Sequence, residues 1–444
     1  TFINNKGEDQ YGTYKYNGII IKYDGEGEVE WARSVGGDDN DYIYSVSETS
    51  DGGYIAGGSF KGDIQVGDYT LENINSLENG MIIKYNREGT VEWARSVGGY
   101  NNDSINSITT TSDGGVIAGG YFEDNDIQVG DYTLENQGGN DGMIIKYNVE
   151  GEVEWARREG GSSEDRINSV AETRDGGYIA AGYFNSSSIQ VGDYTLTNSG
   201  NDDGMIIKYE EKELVNVDVT KAEGIGGNNY DYIYSVASTS DGGVIAGGSF
   251  SSSSIQVGDY TLTNSGDNDG MIIKYSGSGE VEWARNVGGS STEIIKSVAV
   301  TNDGGYIAGG YFRYYDIQVG DYTLTNNGEY DGMIIKYSGS GEVEWARSVG
   351  GSSSDYIYSV ASTSDEGYIA GGRLESDEIQ VGDYALTNNG EYDGMIIKYS
   401  SKGAVEWASS VGGSDWDEIN SVVGTSDGGY IAAGYFNSSS IQVG

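Results

Sequence analysis

The chain has 444 residues and a net charge of −45, from 25 Lys and Arg against 70 Asp and Glu. It contains no Cys and no His, which excludes disulfide bonds, thiolate metal sites and imidazole general bases. The negative charge repels nucleic acid and anionic membranes, and no apolar run reaches the ~18 residues of a membrane-spanning helix, so we expect neither nucleic-acid binding nor membrane insertion.

The chain consists of seven repeats, spaced by about 62 residues. Each repeat contains a G-M-I-I-K-Y or G-I-I-I-K-Y segment, a Gly-Gly pair and the tetrapeptide I-Q-V-G. The tetrapeptide ends at Gly67, Gly130, Gly192, Gly258, Gly320, Gly382 and Gly444. Self-similarity at such a period is typical of solenoids and propellers, so the repeat defines the architecture.

One repeat, residues 104–160, contains the signals of four short strands. Residues 104–111 alternate in polarity, and an S-D-G-G turn signal separates them from a second strand at 116–122. Residues 142–147 predict a third strand, and residues 153–158 predict a fourth after a Gly-containing turn. Four short antiparallel strands per repeat are the signature of a propeller blade, and we name them a, b, c and d in chain order.

An additional segment lies between strands b and c of each repeat. At 189–196 it reads I-Q-V-G-D-Y-T-L, in which apolar residues alternate on either side of a Gly-Asp pair. This pattern predicts an extra hairpin. Because the b–c and d–a connections of a propeller emerge on the same side, we expect seven such hairpins to form a second tier on one face of the disc.

The first and last segments of the chain predict a shared blade. Residues 1–5 (T-F-I-N-N) align with 323–327 (T-L-T-N-N), and the chain stops after a seventh I-Q-V-G. We predict one all-β domain over 1–444, a seven-bladed β-propeller with four antiparallel strands and an extra b–c hairpin per blade. Its last blade is closed by C-terminal strands a and b with N-terminal strands c and d, which removes free sheet edges. The predicted blades one to six are 38–99, 100–161, 162–227, 228–289, 290–351 and 352–413, and blade seven is 414–444 plus 1–37.

Strands c and d carry a lysine and a glutamate eight positions apart in six blades. The pairs are Lys22–Glu30, Lys84–Glu92, Lys146–Glu154, Lys274–Glu282, Lys336–Glu344 and Lys398–Glu406. We expect Tyr85 to stand opposite Val91 and Lys84 opposite Glu92. The two charges would then form a structural cross-strand ion pair, worth ~0.2–1 kcal/mol if exposed.

One tryptophan per blade recurs in the W-A-R or W-A-S motif of strand d. These residues are Trp31, Trp93, Trp155, Trp283, Trp345 and Trp407. Their fixed strand position favours blade-to-blade packing in the widening gap between sheets over stacking on a sugar. The Arg two residues later is expected to lie beside the Trp and to cap backbone carbonyls, although Ser409 replaces it in one blade.

Blade three departs from this pattern. Residues 210–223 contain extra residues and lack the tryptophan motif, and Asn216 stands where the paired glutamate is expected. Two interpretations stay open: an insertion that still forms a strand, and an asymmetric contact site. Residues 5–17, 313–315 and 373–376 also break the repeat and are candidates for contacts with a partner.

An acidic residue recurs four positions after the Gly-Gly pair, just before strand a. The seven residues are Asp41, Asp103, Asp165, Asp231, Glu293, Asp355 and Asp417. Strand a is the innermost strand of a blade, so we expect these carboxylates to ring the channel mouth. Such a ring predicts a cation site with Ca²⁺ as the candidate cofactor. The alternative is that each carboxylate caps backbone N–H groups at the strand entry.

The segment at 288–312 follows the pattern GGxxxDxIxSVAxTSDGGYIAGGYF, with Glu293 in place of the Asp and Asn302 in place of the second Ser, and resembles the bacterial β-propeller repeats often called SBBP repeats. Those repeats occur in secreted and cell-surface proteins of bacteria and archaea. The resemblance covers every repeat, chiefly strands a and b, and implies a propeller with an extracellular or cell-surface location but no catalytic residues. A weaker similarity to kelch repeats rests on Gly-Gly, Tyr and Trp on successive strands; the Tyr-to-Trp spacing and the long b–c hairpin depart from that pattern.

The near-identity of the blades argues against an enzyme, because acid–base catalysis needs groups in different environments. No Walker A, G-x-S-x-G or H-E-x-x-H motif occurs. We predict a non-catalytic, multivalent binding module on a bacterial surface, an adhesin that recognises a carbohydrate or protein ligand through the hairpin-bearing face. The alternatives are a structural module that self-assembles or is linked to further domains in a larger surface protein or filament, and, more remotely, a propeller hydrolase.

Overall fold

The computed structural model describes residues 2–4, 15–73, 77–213 and 216–443. All regular elements in these residues are β-strands, and no helix that could span a membrane occurs among them. The first fifteen strands are Phe2–Asn4 (β1), Asn17–Tyr23 (β2), Val29–Val35 (β3), Tyr42–Glu48 (β4), Tyr54–Lys61 (β5), Ile64–Val66 (β6), Tyr69–Leu71 (β7), Glu78–Tyr85 (β8), Val91–Val97 (β9), Asp103–Thr110 (β10), Val116–Phe122 (β11), Asp126–Val129 (β12), Tyr132–Glu135 (β13), Asp141–Tyr147 (β14) and Val153–Glu159 (β15). The next twelve are Asp165–Glu172 (β16), Tyr178–Phe184 (β17), Ser188–Val191 (β18), Tyr194–Thr197 (β19), Asp203–Glu213 (β20), Asn216–Ile225 (β21), Asp231–Ser238 (β22), Val244–Phe250 (β23), Ser254–Val257 (β24), Tyr260–Thr263 (β25), Asp269–Tyr275 (β26) and Val281–Val287 (β27). The last fifteen are Glu293–Val300 (β28), Tyr306–Arg313 (β29), Ile317–Val319 (β30), Tyr322–Leu324 (β31), Tyr330–Tyr337 (β32), Val343–Val349 (β33), Asp355–Ser362 (β34), Tyr368–Leu374 (β35), Glu378–Val381 (β36), Tyr384–Thr387 (β37), Asp393–Tyr399 (β38), Val405–Val411 (β39), Asp417–Gly424 (β40), Tyr430–Phe436 (β41) and Ser440–Gln442 (β42).

Seven four-stranded antiparallel sheets form a ring, which confirms the predicted seven-bladed β-propeller. From strand a to strand d, blades one to seven are β4-β5-β8-β9, β10-β11-β14-β15, β16-β17-β20-β21, β22-β23-β26-β27, β28-β29-β32-β33, β34-β35-β38-β39 and β40-β41-β2-β3. Each strand a contacts the strand a of the next blade around the whole ring, including β40 against β4. These seven strands therefore surround the central channel.

Blade seven combines strands β2 and β3 with strands β40 and β41, which lie near opposite ends of the sequence. Strand β2 pairs with β41 from Asn17 opposite Phe436 to Tyr23 opposite Tyr430. Outside this sheet, β1 pairs with β42, with Ile3 opposite Ile441. Backbone hydrogen bonds thus close the ring within one chain, while the exact domain and blade boundaries stay predictions.

The extra segments between strands b and c are hairpins, but they do not form a tier on one face. Each of the six uninterrupted hairpins packs against strand d, the outermost strand of its own blade. Gly130 at one hairpin turn faces Val153 of strand d, and the Tyr132 hydroxyl donates a hydrogen bond to the Glu154 carbonyl (2.6 Å). Apolar residues such as Ile127 and Val129 are buried between adjacent blades. The hairpins lie along the outer wall because the apolar surface that covers them is there.

A glycine in strand b, Gly120 in blade two, permits close approach of strands a and b. A Cβ atom at Gly120 would lie 1.9 Å from the Ser104 carbonyl oxygen. A Cβ atom at Gly119 would lie 2.5 Å from Cγ1 of Val170 in the next blade. Because a backbone carbonyl cannot move aside, a side chain at Gly120 would push the two strands apart, whereas the position of Gly119 is Ala181 in blade three and Ala433 in blade seven.

A β-bulge interrupts strand a of every blade two residues before a buried Val or Ile. The inner edge of strand a has no neighbouring strand in its sheet, so its N–H groups need other acceptors. A serine of the preceding blade supplies one at each junction. These seven contacts, with N···O distances of 3.0–3.2 Å, join Val46 to Ser421, Ile108 to Ser45, Val170 to Ser107, Val236 to Ser169, Val298 to Ser235, Val360 to Ser297 and Val422 to Ser359. We call this closed ring the serine belt.

The tryptophan of strand d contacts the c–d turn of the next blade. Trp93 Nε1 donates to the Val149 carbonyl at 3.1 Å, and the indole ring covers Gly151. Arg95 lies 5.5 Å from the Trp93 ring and donates to the Gly151 carbonyl at 2.8 Å. The structure therefore places the tryptophans between blades, where the ring and the guanidinium bind the neighbouring turn.

The predicted Lys–Glu ion pairs are present in all six blades, with N···O distances of 2.9–3.3 Å. Their strand register differs from the prediction, because a bulge places Lys84 opposite Trp93 rather than opposite Glu92. Each lysine also contacts an aspartate of the a–b turn, as Lys146 contacts Asp113 at 2.9 Å. A nearly buried ammonium group between two carboxylates links strands c and d to that turn.

The first prediction concerns the serine belt. Replacing Ser169 by Ala leaves the buried N–H of Val236 without its acceptor. We expect Ser169→Ala to lower the free energy of unfolding by about 1–3 kcal/mol, measured by chemical denaturation. The control is Ser162→Ala at an exposed position, which should change stability by less than about 0.5 kcal/mol. Equal unfolding midpoints for the two variants would contradict the role of the belt.

Candidate functional site

The seven predicted acids lie at the entry of strand a, but their carboxylates are fully buried. In every blade one carboxylate oxygen accepts the backbone N–H of the glycine four residues earlier. Asp165 also accepts hydrogen bonds from the backbone of Asn185 and from the Ser186 hydroxyl, the latter at 2.7 Å. This arrangement corresponds to the capping alternative, because the carboxylates tie the d–a loop to the end of strand b instead of facing the channel.

Burial raises the pKa of several of these acids. It raises the pKa of Asp41 to about 8, of Asp103 and Glu293 to about 7 and of Asp417 to about 6, while backbone hydrogen bonds act in the opposite direction. Within the described ranges, no three acidic side chains are grouped so that they could hold a metal ion. Calcium binding at the acids stays a prediction.

The channel mouth is instead lined by two positions of strand a, one and three residues after each acid. The residue between these two positions is a buried Ile. The position after the acid is Tyr42, Ser104, Arg166, Tyr232, Ile294, Tyr356 or Glu418, and the bulged position is Tyr44, Asn106, Asn168, Tyr234, Lys296, Tyr358 or Asn420. These side chains differ between blades while the buried residues around them repeat. The inference that all blades offer the same groups therefore does not hold at the axis.

Aromatic rings form a row across blades five, six, seven and one at this mouth, in two groups of contacting rings. The row, which we call the aromatic arc, consists of Tyr16, Tyr42, Tyr311, Tyr330, Tyr356, Tyr392, Trp416 and Tyr435. Ring centroids are 4.9 Å apart for Tyr311 and Tyr356, and 6.2 Å apart for Tyr392 and Trp416. Trp416 is 44% exposed, so the arc presents aromatic surface to solvent.

Arg373 of strand b bridges two parts of the arc. Its guanidinium carbon lies 4.6 Å from the Tyr356 ring centroid and 4.4 Å from that of Tyr392. It pairs with Glu375 and, at 3.6 Å, with Glu418. Burial raises the pKa of Glu418 to about 7 even though Arg373 opposes the shift. The predicted irregular stretch 373–376 thus contributes directly to this surface.

Lys296 is the one lysine at the bulged position of the described strands a. Its ammonium nitrogen lies 4.0 Å from the centroid of the Tyr234 ring. Burial lowers its pKa to about 8, and the Glu418 carboxylate opposes this shift. The charge is therefore held by a π face in the channel and titrates near neutral pH.

A signal for the mouth is visible in the repeat itself. In the pattern D-x-I-x-S-V, the acid, Ile, Ser and a final Val or Ile recur. The first intervening position varies among Tyr, Ser, Arg, Ile and Glu, and the second among Tyr, Asn and Lys. Positions that vary within an otherwise repeated strand indicate a surface that does not serve the common fold. This variation was available in the sequence but was not used in the prediction.

The remaining irregular segments lie at two places. Strands β20 and β21 extend the c–d hairpin of blade three, and Thr220, not Asn216, occupies the position of the paired glutamate, as shown by the hydrogen bond from Tyr194. In the stretch 313–315, Arg313 lies 4.2 Å from the Tyr314 ring. Residues 5–14 and 214–215 lie outside the described residues.

Comparison with known sequences shows distant propeller-type relatives. No family model matches the chain. An uncharacterized WD repeat-containing protein, L264 of Acanthamoeba polyphaga mimivirus, is 21% identical over 86% of this chain and 33% of its own length. The regulatory protein FlaEY of Caulobacter vibrioides is 23% identical over 75% of this chain and 36% of its own length. The chain thus spans about a third of the curated relatives it matches, and membership of the SBBP-type family stays a prediction.

Solved structures show only a loose likeness. The WD40 domain of Neurospora crassa Pan2 is 9% identical with a TM-score of 0.44, covering 88% of each chain. YCF48 bound to a D1 peptide is 10% identical with a TM-score of 0.41, covering 98% of this chain and 96% of that chain. Because both scores are below 0.5, these likenesses carry no functional argument.

The second prediction concerns the buried acids. The pKa of Glu293 rises from about 4.3 in the unfolded chain to about 7 in the folded protein, so this group costs stability increasingly as the pH rises between these values. Glu293→Gln keeps an acceptor for Gly289 and removes the charge. We expect its Tm to equal that of the wild type at pH 4 and to exceed it by a few °C at pH 8.

The matched control for this prediction is Glu150→Gln on an exposed turn. Its Tm difference from the wild type should be the same at pH 4 and pH 8. Thermal unfolding followed by circular dichroism measures both variants. A pH-independent Tm difference for Glu293→Gln would show that this carboxyl ionises as it does in the unfolded chain.

Proposed function

We propose that this chain is a non-catalytic recognition module whose ligand-binding surface is the aromatic arc at the mouth of the axial channel. The observation that carries the proposal is the contrast between repeated and varied positions. The buried core of the blades repeats, whereas the channel mouth collects unlike side chains from several blades. Because these positions do not repeat, the common fold does not constrain them, and their side chains can be complementary to a ligand.

The chemistry of the arc supports recognition of a protein or carbohydrate. Tyr and Trp supply large contact areas with few rotatable bonds, and each combines an apolar ring with a hydrogen-bonding group. Arg373 adds a planar donor within the arc, and its side chain is 21% exposed. Such a surface fits the ring face of a sugar or an extended polypeptide.

The arc also changes the proposed stoichiometry. The multivalent prediction assumed equivalent sites on every blade, but the blades differ at the mouth. Blade two carries Ser104 and Asn106 there, and the junction of blades three and four carries a smaller aromatic group around Tyr183 and Tyr232, whose ring centroids are 5.0 Å apart. We therefore propose one ligand per chain. The location, an extracellular or cell surface of a bacterium, remains part of the proposal.

A role without catalysis is supported by the state of the charged groups. The buried acids each accept backbone hydrogen bonds, and Arg373 is paired with two glutamates. The sequence relatives carry the names of a WD repeat protein and a regulatory protein. An assembly role ranks second, because the split hairpin that suggested pairing between chains is completed by β1 and β42 of the same chain.

The third prediction tests the arc. The wild-type protein is screened on a glycan array and a peptide library, and its hits are titrated by calorimetry. Tyr356→Ala combined with Trp416→Ala should weaken the affinity for a hit by at least about tenfold, since buried aromatic anchors dominate such interfaces. We expect one equivalent bound per chain.

The control is Tyr384→Ala, which removes an aromatic ring from a hairpin on the outer wall. Its affinity for the same hit should stay within about twofold of the wild type. Ligands that bind the double variant as tightly as the wild type, or that lose affinity in the control instead, would place the binding surface elsewhere.

A further inference from the structure

At six of the seven junctions between blades, an indole ring fills a slot in the outer wall. The junction of blades one and two shows its construction. Trp93 lies between Ile55 and Ile82 of its own blade and Tyr147 of the next blade, with the two ring centroids 6.3 Å apart. Gly151 forms the floor, since a Cβ atom there would lie 2.7 Å from the indole.

The junction of blades three and four keeps the walls of this slot but lacks the ring. Lys221 occupies the strand position of the tryptophan, because it stands opposite Lys208 as Trp155 stands opposite Lys146. The equivalent walls are present as Ile179, Ile206, Val244, Tyr275 and Gly279. The site therefore has the shape for an indole and no indole of its own.

The slot is only partly filled. A cavity of about 30 Å³ remains among these residues. Ile206 is 8% exposed, whereas Ile82, Ile144 and Ile272 at the same position of other blades are fully buried. The stem of Lys221 lies over Gly279 and its ammonium group donates to the Gly279 carbonyl. An aliphatic stem thus covers apolar surface that a flat ring covers elsewhere.

The Lys221 side chain can swing out of the slot while its ammonium group stays hydrated. Its side chain is 35% exposed and its ion pair with Glu223 is long, at 3.9 Å. A lysine at such a rim keeps its charge in water when its stem swings outward. The vacated volume then matches the indole of the neighbouring junctions, and the Gly277 carbonyl stands where the Val149 carbonyl accepts the indole N–H of Trp93.

We propose that the junction of blades three and four is a binding site for a planar aromatic group of indole size, either a free small molecule or the tryptophan side chain of a polypeptide. The ligand ring packs between Ile206 and Tyr275 above Gly279, and its N–H donates to a carbonyl of the c–d turn. The divergent segment of blade three thereby gains a role. It opens one of seven equivalent slots to an external ring.

The test uses ¹⁹F NMR of 5-fluoroindole with the intact chain. The wild type should bind one equivalent. Lys221→Ala should bind at least about tenfold more tightly, because the competing stem is removed. Lys221→Trp should abolish binding and raise the Tm, because it restores the arrangement of the other six junctions. N-acetyl-5-fluorotryptophan amide serves as a second probe: its binding identifies a polypeptide side chain as the ligand, and binding of 5-fluoroindole alone identifies a free aromatic molecule.

The control is Lys402→Ala, which removes an exposed lysine from the c–d turn of blade six and should leave the affinity for 5-fluoroindole unchanged. Two results would overturn the proposal. One is the absence of 5-fluoroindole binding by both the wild type and Lys221→Ala at millimolar probe. The other is unchanged binding by Lys221→Trp, which would place the probe outside this slot.

Discussion

The fold depends on how the inner edges of the seven strands a are satisfied without a further strand. The serine belt does this with one hydroxyl per junction, and its last contact, from Val46 to Ser421, is made only when the seventh blade meets the first. Because a buried N–H without an acceptor is costly, an open ring leaves at least one junction incomplete. The strand-b glycine at the position of Gly120 complements the belt, since it lets strands a and b of one blade lie close together.

Towards the rim the same blades diverge, and the contacts change from polar to apolar. Indole rings and hairpin side chains occupy the space that the diverging sheets leave. Near the a–b turns, each buried lysine lies between two carboxylates. Removing one partner of such a group leaves an uncompensated charge beside a buried lysine. These ion pairs therefore constrain the strand register more strongly than the exposure of their glutamates alone indicates. Among the described residues, the channel mouth and the blade-three junction vary, whereas the inner belt, the lysine clusters and most of the rim repeat.

Periodicity in the sequence was sufficient for the blade number, the four strands and the composite blade, because side-chain alternation and turn residues report directly on strands. It was insufficient for three features. The one-residue bulge that moves Glu92 out of register leaves no trace in an alternating pattern. The hairpins lie on the outer wall because of the apolar surface between two blades, a property of the assembled ring. The acids were expected at the channel, but burial depends on the path of the d–a loop, which spacing alone does not specify.

The pairing of β2 with β41 has a consequence for the order of folding. The salt bridge between Lys22 and Asp427 joins residues that are 405 positions apart, so β2 is synthesised long before its partner β41. Loop closure over such a distance is entropically costly and makes topology the main determinant of the folding rate. Until that moment the edges of β2 and β41 are unpaired, which exposes a newly made chain to edge-to-edge association with its neighbours. Dilution and the mutual repulsion of strongly acidic chains both favour closure of a ring over that association.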